Sequence, residues 1–252
     1  MTTTIEDASV ALVAGGTGPL GRAVVATLAG RGLRVAVHYR SRPETAQELI
    51  AGLPGEHLVV GADLTSPGEL ADAVDTVEHH LGPVSVLVNA AHPGLSSPAA
   101  VADGDPAALA AQLAGVSAHA ALCARVVPAM RALGRGRIIY LSGALMSRPA
   151  TGFGFYGAAK AAATTLTKYL ALEEGRAGIT ANIVAPGRVV DPSVPDELTP
   201  QQAALSDRLL ERMALPRFPS PADVADGVLT LVDSPAITGQ VLWLTGGEPI
   251  HG

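Results

Sequence analysis

Tyr156 and Lys160 stand four residues apart in the run Tyr156-Gly157-Ala158-Ala159-Lys160, so on a helix they share one face, a turn apart. A phenol beside an ammonium is a proton-handling pair. The cation stabilises phenolate over phenol, which predicts a lowered pKa for Tyr156 and general acid/base work near neutral pH. Lysine is scarce in this chain, with only Lys160 and Lys168, so a lysine at this spacing is not ordinary surface filler.

A second piece of chemistry lies near the start. The apolar run Val10-Ala11-Leu12-Val13 leads into Ala14-Gly15-Gly16-Thr17-Gly18-Pro19-Leu20-Gly21 and then a helix-like stretch from Arg22 to Leu28. Strand, glycine loop and helix in that order let backbone N–H groups at a helix start meet a pyrophosphate, whose negative charge the helix dipole favours. The second strand ends in His38-Tyr39-Arg40-Ser41-Arg42, with no acidic residue to hold a ribose 2′-hydroxyl. Two guanidiniums and a hydroxyl suit a 2′-phosphate, so the expected cofactor is NADP(H) rather than NAD(H).

The elements that must position these groups alternate. The pattern predicts strands near 10–14, 33–39, 57–62, 84–89, 137–142, 179–184 and 240–244, with helices over 67–81, 106–133, 153–177 and 221–232. Such alternation implies an α/β fold: one Rossmann-like, doubly wound parallel sheet of about seven strands with helices on both faces, and the site at the carboxyl ends of the strands. No linker divides the chain, so 1–252 reads as a single domain. The irregular stretch Asp191 to Pro200, followed by a helical run near 200–213, predicts a substrate lid over 188–215. Pro192, Pro195, Leu198, Leu205, Leu209 and Met213 would give it partly apolar walls for a small-molecule substrate.

Composition narrows the function classes. A net charge of −6 without a basic block argues against nucleic acid. The single cysteine, Cys123, excludes an internal disulfide and fits a reducing compartment. The apolar stretch at the start is short and lacks a basic flank, and no other run reads as membrane-spanning, so the expectation is a cytoplasmic protein without membrane contact. The seven histidines make no Cys/His cluster with ligand spacing, and His79 and His80 diverge on a helix, so no metal is expected.

Taken in order, these motifs resemble the short-chain dehydrogenase/reductase family over essentially the whole chain. The glycine loop resembles its T-G-x-x-x-G-x-G, Asp63-Leu64 the acidic pair after the third strand, and Asn89-Ala90-Ala91-His92 its N-N-A-G. Tyr156 and Lys160 fall on its catalytic pair, Asn182 to Gly187 on N-x-V-x-P-G, and Ile237 to Gln240 with Gly246-Gly247 on its C-terminal strand. The resemblance implies a nucleotide held by Gly15, Thr17, Gly18, Leu20 and Gly21, by Arg40, Ser41 and Arg42, by Asp63, Leu64, Asn89, Ala90 and Ala91, and by Tyr156, Lys160, Pro186, Gly187 and Val189. It also implies a homodimer or homotetramer through the helices near 106–133 and 153–177 and the C-terminal strand. Many NADP-using relatives carry a basic residue where this chain has Gly18.

Departures from the pattern are equally informative. The family's catalytic serine falls on Gly143, with Ser142 one residue early. Neighbouring strand residues face opposite sides, so Ser142 substitutes only if the strand end is bulged or twisted. The asparagine that holds the family's relay water falls on Gly115, the loop's central glycine is Pro19, and the threonine expected after Pro186-Gly187 falls on Asp191, a carboxylate that would repel a pyrophosphate. His92 and His119 are candidates to fill these gaps by donating to a carbonyl oxygen or passing protons. The expected activity is NADP(H)-dependent reduction of a ketone or oxidation of an alcohol, with Tyr156, Lys160, His92 and Ser142 as catalytic candidates. A non-redox acid/base reaction on the same fold and a catalytically inactive binding member are the alternatives.

Overall fold

The computed structural model describes residues 5–6, 9–94, 98–194 and 198–248. Seven strands form one sheet: β1 (Val10–Ala14), β2 (Arg34–Tyr39), β3 (Leu58–Gly61), β4 (Val84–Asn89), β5 (Gly136–Leu141), β6 (Ile179–Pro186) and β7 (Val241–Leu244). Their order is β3-β2-β1-β4-β5-β6-β7, and every neighbouring pair is parallel. Helices α1 (Pro19–Gly30), α2 (Pro43–Ala51), α3 (Pro67–Leu81), α4 (Pro106–Leu133), α5 (Gly154–Glu174), α6 (Pro200–Arg212) and α7 (Pro221–Asp233) complete the alternation. Proline opens all of these except α5. Its fixed φ suits a first turn, and its missing N–H costs nothing where no intrahelical partner exists.

The two layers follow from the strands' two-residue period. Along β1, Val10, Leu12 and Ala14 face one core with Leu70 and Val74 of α3 and Leu122 and Val126 of α4. Ala11 and Val13 face the other, with Val24 and Leu28 of α1 and Val224 and Val228 of α7. Burial on both sides is why β1 reads as a continuous apolar run. α2 has no such signature: only Ala46 is buried, and no apolar period announces it.

The chain winds outward from β1 to β3, returns to β4 on the other side of β1, and continues to β7. The loops after β1 and β4 therefore open a crevice at the carboxyl ends, where such sheets bind ligands. They touch: a Cβ on Gly15, whose φ is +73°, would lie 2.8 Å from the Ala91 backbone.

The expectation that no further run could span a bilayer needs correction, since α4 is long and apolar enough by length and composition. Much of that apolarity is small alanine. One stripe of α4, including Leu122, Val126 and Met130, is buried in the core against the sheet, and Arg125 and Arg131 tie the helix to Asp75 of α3 and Glu174 of α5.

Candidate active site

The crevice contains two adjoining cavities that share Pro19. The first, about 380 Å³, is lined by Gly15, Thr17, Gly18, Arg40, Ser41, Arg42, Asp63, Leu64, Asn89, Ala90, Ala91 and His92. The second, about 490 Å³, is lined by Leu20, Ser142, Gly143, Tyr156, Pro186, Gly187, Val189, Val190, Asp191 and Val194. Most of the expected nucleotide contacts are thus gathered along one trough. Gly21 and Lys160 sit behind it. Gly21 is a packing glycine, because a Cβ there would run into the Gly15 carbonyl.

The loop amides are shared out in a way the sequence did not signal. Gly15 N–H donates to His38 Nδ1 at 3.0 Å, Gly16 N–H to the His38 carbonyl at 2.9 Å, and Gly18 N–H to the Gly15 carbonyl at 3.1 Å. The other His38 nitrogen meets the Ala62 carbonyl at 3.0 Å, and burial pushes the imidazole's pKa down, so a neutral ring with Nε2–H bridges the loop to the end of β3. An anion is left with the first turn of α1, which carries no side-chain cap. The polar residue at an inward position of β2 is the clue a sequence reading could have used.

Tyr156 projects from the first turns of α5, half-buried, and its hydroxyl lies 2.9 Å from where a Gly143 Cβ would stand. Lys160 is buried behind it, its Nζ donating to the Leu141 carbonyl at 2.7 Å and lying 5.7 Å from the centre of the Tyr156 ring. The expected depression of the phenol by this lysine is not what the structure gives. Burial pushes Tyr156 up, and burial holds Lys160 itself down to about 7. The ammonium is aimed at a backbone carbonyl, so the phenol is protonated at neutral pH. Tyr140, whose ring centre is 4.9 Å from Nζ, completes the lysine's surroundings and was not foreseen.

Ser142 does not replace a hydroxyl at position 143. The alternation of β5 runs on without a bulge, Gly143 is extended, and Ser142 Oγ lies 3.0 Å from both Thr164 Oγ1 and Met146 Sδ inside the protein. His119 is also committed. Its Nε2 meets Thr167 Oγ1 at 2.9 Å, and because that hydroxyl donates to the Ala163 carbonyl, the ring must supply Nε2–H and accept from Asn89 Nδ2 at Nδ1, 3.1 Å away. Burial, aided by the Lys160 charge, holds it down to about 4, so it is a structural histidine. Asp191 accepts from Ser193 N–H and Oγ–H in its own turn and lines the second cavity rather than the first.

Both unusual glycines line the cavities, yet neither leaves room for an added side chain at its own Cβ position. A Cβ at Gly115 would stand 3.1 Å from the Pro93 ring, and one at Gly143 would press on the Tyr156 hydroxyl. Gly143→Ser should therefore lower turnover about tenfold or more by displacing the proton donor, since misplacement near 1 Å can cost ~10²-fold. Adding Gly115→Asn should deepen the loss by moving Pro93 and its neighbour His92. Steady-state rates with an activated ketone decide it, and a rise in reduction by the double variant would refute this account.

From the 188–215 segment, Val189, Val190, Asp191 and Val194 line the second cavity. The expected proline and leucine walls are not among those residues: Leu205 is half-exposed, Met213 packs near Gly246, and Pro195 lies outside the described residues. Capping of α6 by Thr199 and Gln202 explains why that helix starts where it does.

His92 is the one candidate histidine that the structure brings to Tyr156, with ring centres 5.0 Å apart in an edge-on contact. Beneath it lies Gln112, a buried polar side chain on the α4 face that also carries Gly115 and His119.

Comparison with known proteins agrees with this arrangement. The family model described as Enoyl-(Acyl carrier protein) reductase matches residues 16–248. Carbonyl reductase family member 4 of Danio rerio is 33% identical over 241 residues, covering 94% of this chain and 97% of the relative. The Homo sapiens 3-oxoacyl-(acyl-carrier-protein) reductase is 30% identical over 239 residues, with 94% and 97% covered. A short-chain type dehydrogenase/reductase structure from Mycobacterium ulcerans superposes with a TM-score of 0.89 at 27% identity, covering 98% of this chain and 91% of that one. With a parallel seven-stranded sheet, a glycine loop at its switch point and these relatives along nearly its whole length, the chain belongs to the short-chain dehydrogenase/reductase family of oxidoreductases.

Proposed function

We propose that the protein is an NADP(H)-dependent reductase of a ketone, with Tyr156 as the general acid. The observation that carries this reading is a protonated, half-buried phenol in the wall of a 490 Å³ cavity adjoining a trough that ends in Arg40, Ser41 and Arg42. The trough suits the cofactor: its glycines admit a close backbone approach, α1 has an uncapped N-terminus, and Arg40 and Arg42 in its lining offer guanidiniums suited to a 2′-phosphate. When bound, NADPH would supply the hydride taken up by the substrate's carbonyl carbon. Tyr156 then protonates the oxygen, and Lys160, fixed by the Leu141 carbonyl, brings positive charge behind the phenol as its proton leaves. A phenol that stays protonated at neutral pH favours the reductive direction. Relatives named as carbonyl and 3-oxoacyl reductases support a ketone or β-ketoacyl substrate.

Binding titrations of NADPH and NADH against the purified protein test the cofactor choice. NADPH should bind more tightly. Arg40→Ala should weaken NADPH about tenfold or more, as expected for losing a charge-assisted contact worth ~1.5–3 kcal/mol, and leave NADH nearly untouched. Equal affinities for the two nucleotides in the unmodified protein would reject the NADP(H) assignment.

We also propose a homodimer or homotetramer built on the α4/α5 face. Leu113, Leu166, Tyr169 and Leu172 are exposed on these helices, and Leu166 and Tyr169 line a shallow groove of about 640 Å³. Sedimentation should show a dimer or tetramer that Tyr169→Asp with Leu172→Asp converts to monomer, and a monomeric parent would refute this.

A further inference from the structure

A carbonyl oxygen has two lone pairs, and the proton from Tyr156 uses one of them. Stabilising the charge that develops on that oxygen calls for a second, preorganised donor. Gly143 has no side chain, and the Ser142 hydroxyl is turned into the protein toward Thr164 and Met146. Lys160 is buried behind the phenol, lines neither cavity and donates to the Leu141 carbonyl, so it does not reach the substrate side.

On the reductase reading given above, we propose that His92 is a catalytic residue whose neutral Nε2–H is the second hydrogen-bond donor to the substrate oxygen beside Tyr156. Three observations carry it. The imidazole lies edge-on to the Tyr156 ring with centres 5.0 Å apart, at the carboxyl end of β4 and in the wall of the trough. Its Nδ1 accepts the Gly94 N–H at 3.0 Å, which forces the ring proton onto Nε2, the nitrogen that makes no hydrogen bond among the described residues.

The third is a brace beneath the ring. Gln112 is 3% exposed, and its Nε2 donates to the Gly94 carbonyl at 2.7 Å, so one side chain holds the same turn that fixes the tautomer. Gln112 also reaches His92, yet its Oε1 has no well-formed hydrogen bond. A buried amide oxygen without a full partner is costly unless it serves a site. Here it lies beside the turn that carries His92, an acceptor held in reserve next to the imidazole.

Burial, followed by the Lys160 charge, holds the imidazole down to about 4, so His92 stays neutral and keeps a single ring proton through the physiological range. A neutral donor stabilises the developing oxyanion without competing with Tyr156 to deliver the proton. The arrangement divides the work: Tyr156 transfers, His92 only donates a hydrogen bond.

The test is reduction of ethyl acetoacetate by NADPH with the full-length protein and two variants. His92→Phe keeps an aromatic ring against Tyr156 and removes the N–H, and should lower kcat by roughly 10²–10³ with NADPH affinity and thermal midpoint unchanged. His92→Gln restores an N–H donor near the same place and should recover part of that loss. A His92→Phe variant that keeps kcat within about threefold, while Tyr156→Phe abolishes turnover, would overturn the assignment and leave the reductase reading standing. Loss in both His92 variants with no recovery in glutamine, together with a lowered thermal midpoint, would also overturn it in favour of a packing role. Absence of NADPH oxidation by the unmodified protein would instead overturn the reductase reading, and this assignment with it.

Discussion

Tyr156→Phe should reduce ketone turnover by at least the ~10²–10⁴ that a positioned proton donor contributes, with NADPH affinity and KM little changed. The substitution removes one oxygen and leaves the ring in its contact with His92, so the fold has no reason to respond. The effect belongs in kcat because the proton transfer occurs only in the transition state. Burial raises the Tyr156 pKa, so the phenol itself stays protonated through neutral pH, and the reductive rate of the parent should fall above about pH 7 as Lys160, held at about 7, loses the charge behind it. Steady-state kinetics of reduction against pH measure this. Retention of most activity by the phenylalanine variant would move the proton donor to another group.

Lys160→Met should produce two large changes, one in rate and one in stability. The rate should fall about 10²-fold or more, because no positive charge remains behind the departing proton. The stability change has a definite sign. Burial holds the folded lysine at about 7 against an unfolded value of 10.5, so between those limits the unfolded chain binds more protons. Stability of the parent then rises with pH across that window, and is lowest below about pH 7, where the folded lysine becomes fully charged. Over pH 7 to 9.5 the gain is on the order of 2–3 kcal/mol, and the methionine variant, with nothing to titrate, should lack it. His92 and His119, both held to about 4, stay neutral in this range and do not confuse the comparison. Denaturant melts of parent and variant at several pH values provide the difference. Parallel curves would mean that burial does not hold the Lys160 pKa near 7.

Much of the framework was legible in the chain. Short, largely apolar runs such as Val10–Ala14 and Val84–Asn89, punctuated by glycine loops and proline-opened helices, specify a doubly wound parallel sheet because each strand must bury both faces. From that topology alone the loops after β1 and β4 must meet, and the glycines with Arg40, Asp63 and Tyr156 fall along one crevice. The α2 helix escaped notice because a single buried alanine leaves no period to read.

What spacing could not decide is where a polar atom points once other elements surround it. Lys160 and Tyr156 are on one helix face as their spacing requires, yet β5 presents the Leu141 carbonyl to the ammonium, and burial then shifts both pKa values against the simple charge argument. His92 and His119 looked alike as lone histidines in the sequence. Thr167 from α5 and Asn89 from β4 close both nitrogens of one, while the Gly94 amide takes a single nitrogen of the other and leaves its N–H at the site. The sequence by itself determined the sheet, the crevice and the residue types brought to it, because those follow from local periodicity and connection rules. The tertiary structure alone decided which donors are satisfied and which remain available, because desolvation and hydrogen-bond geometry are set by neighbours distant in the chain.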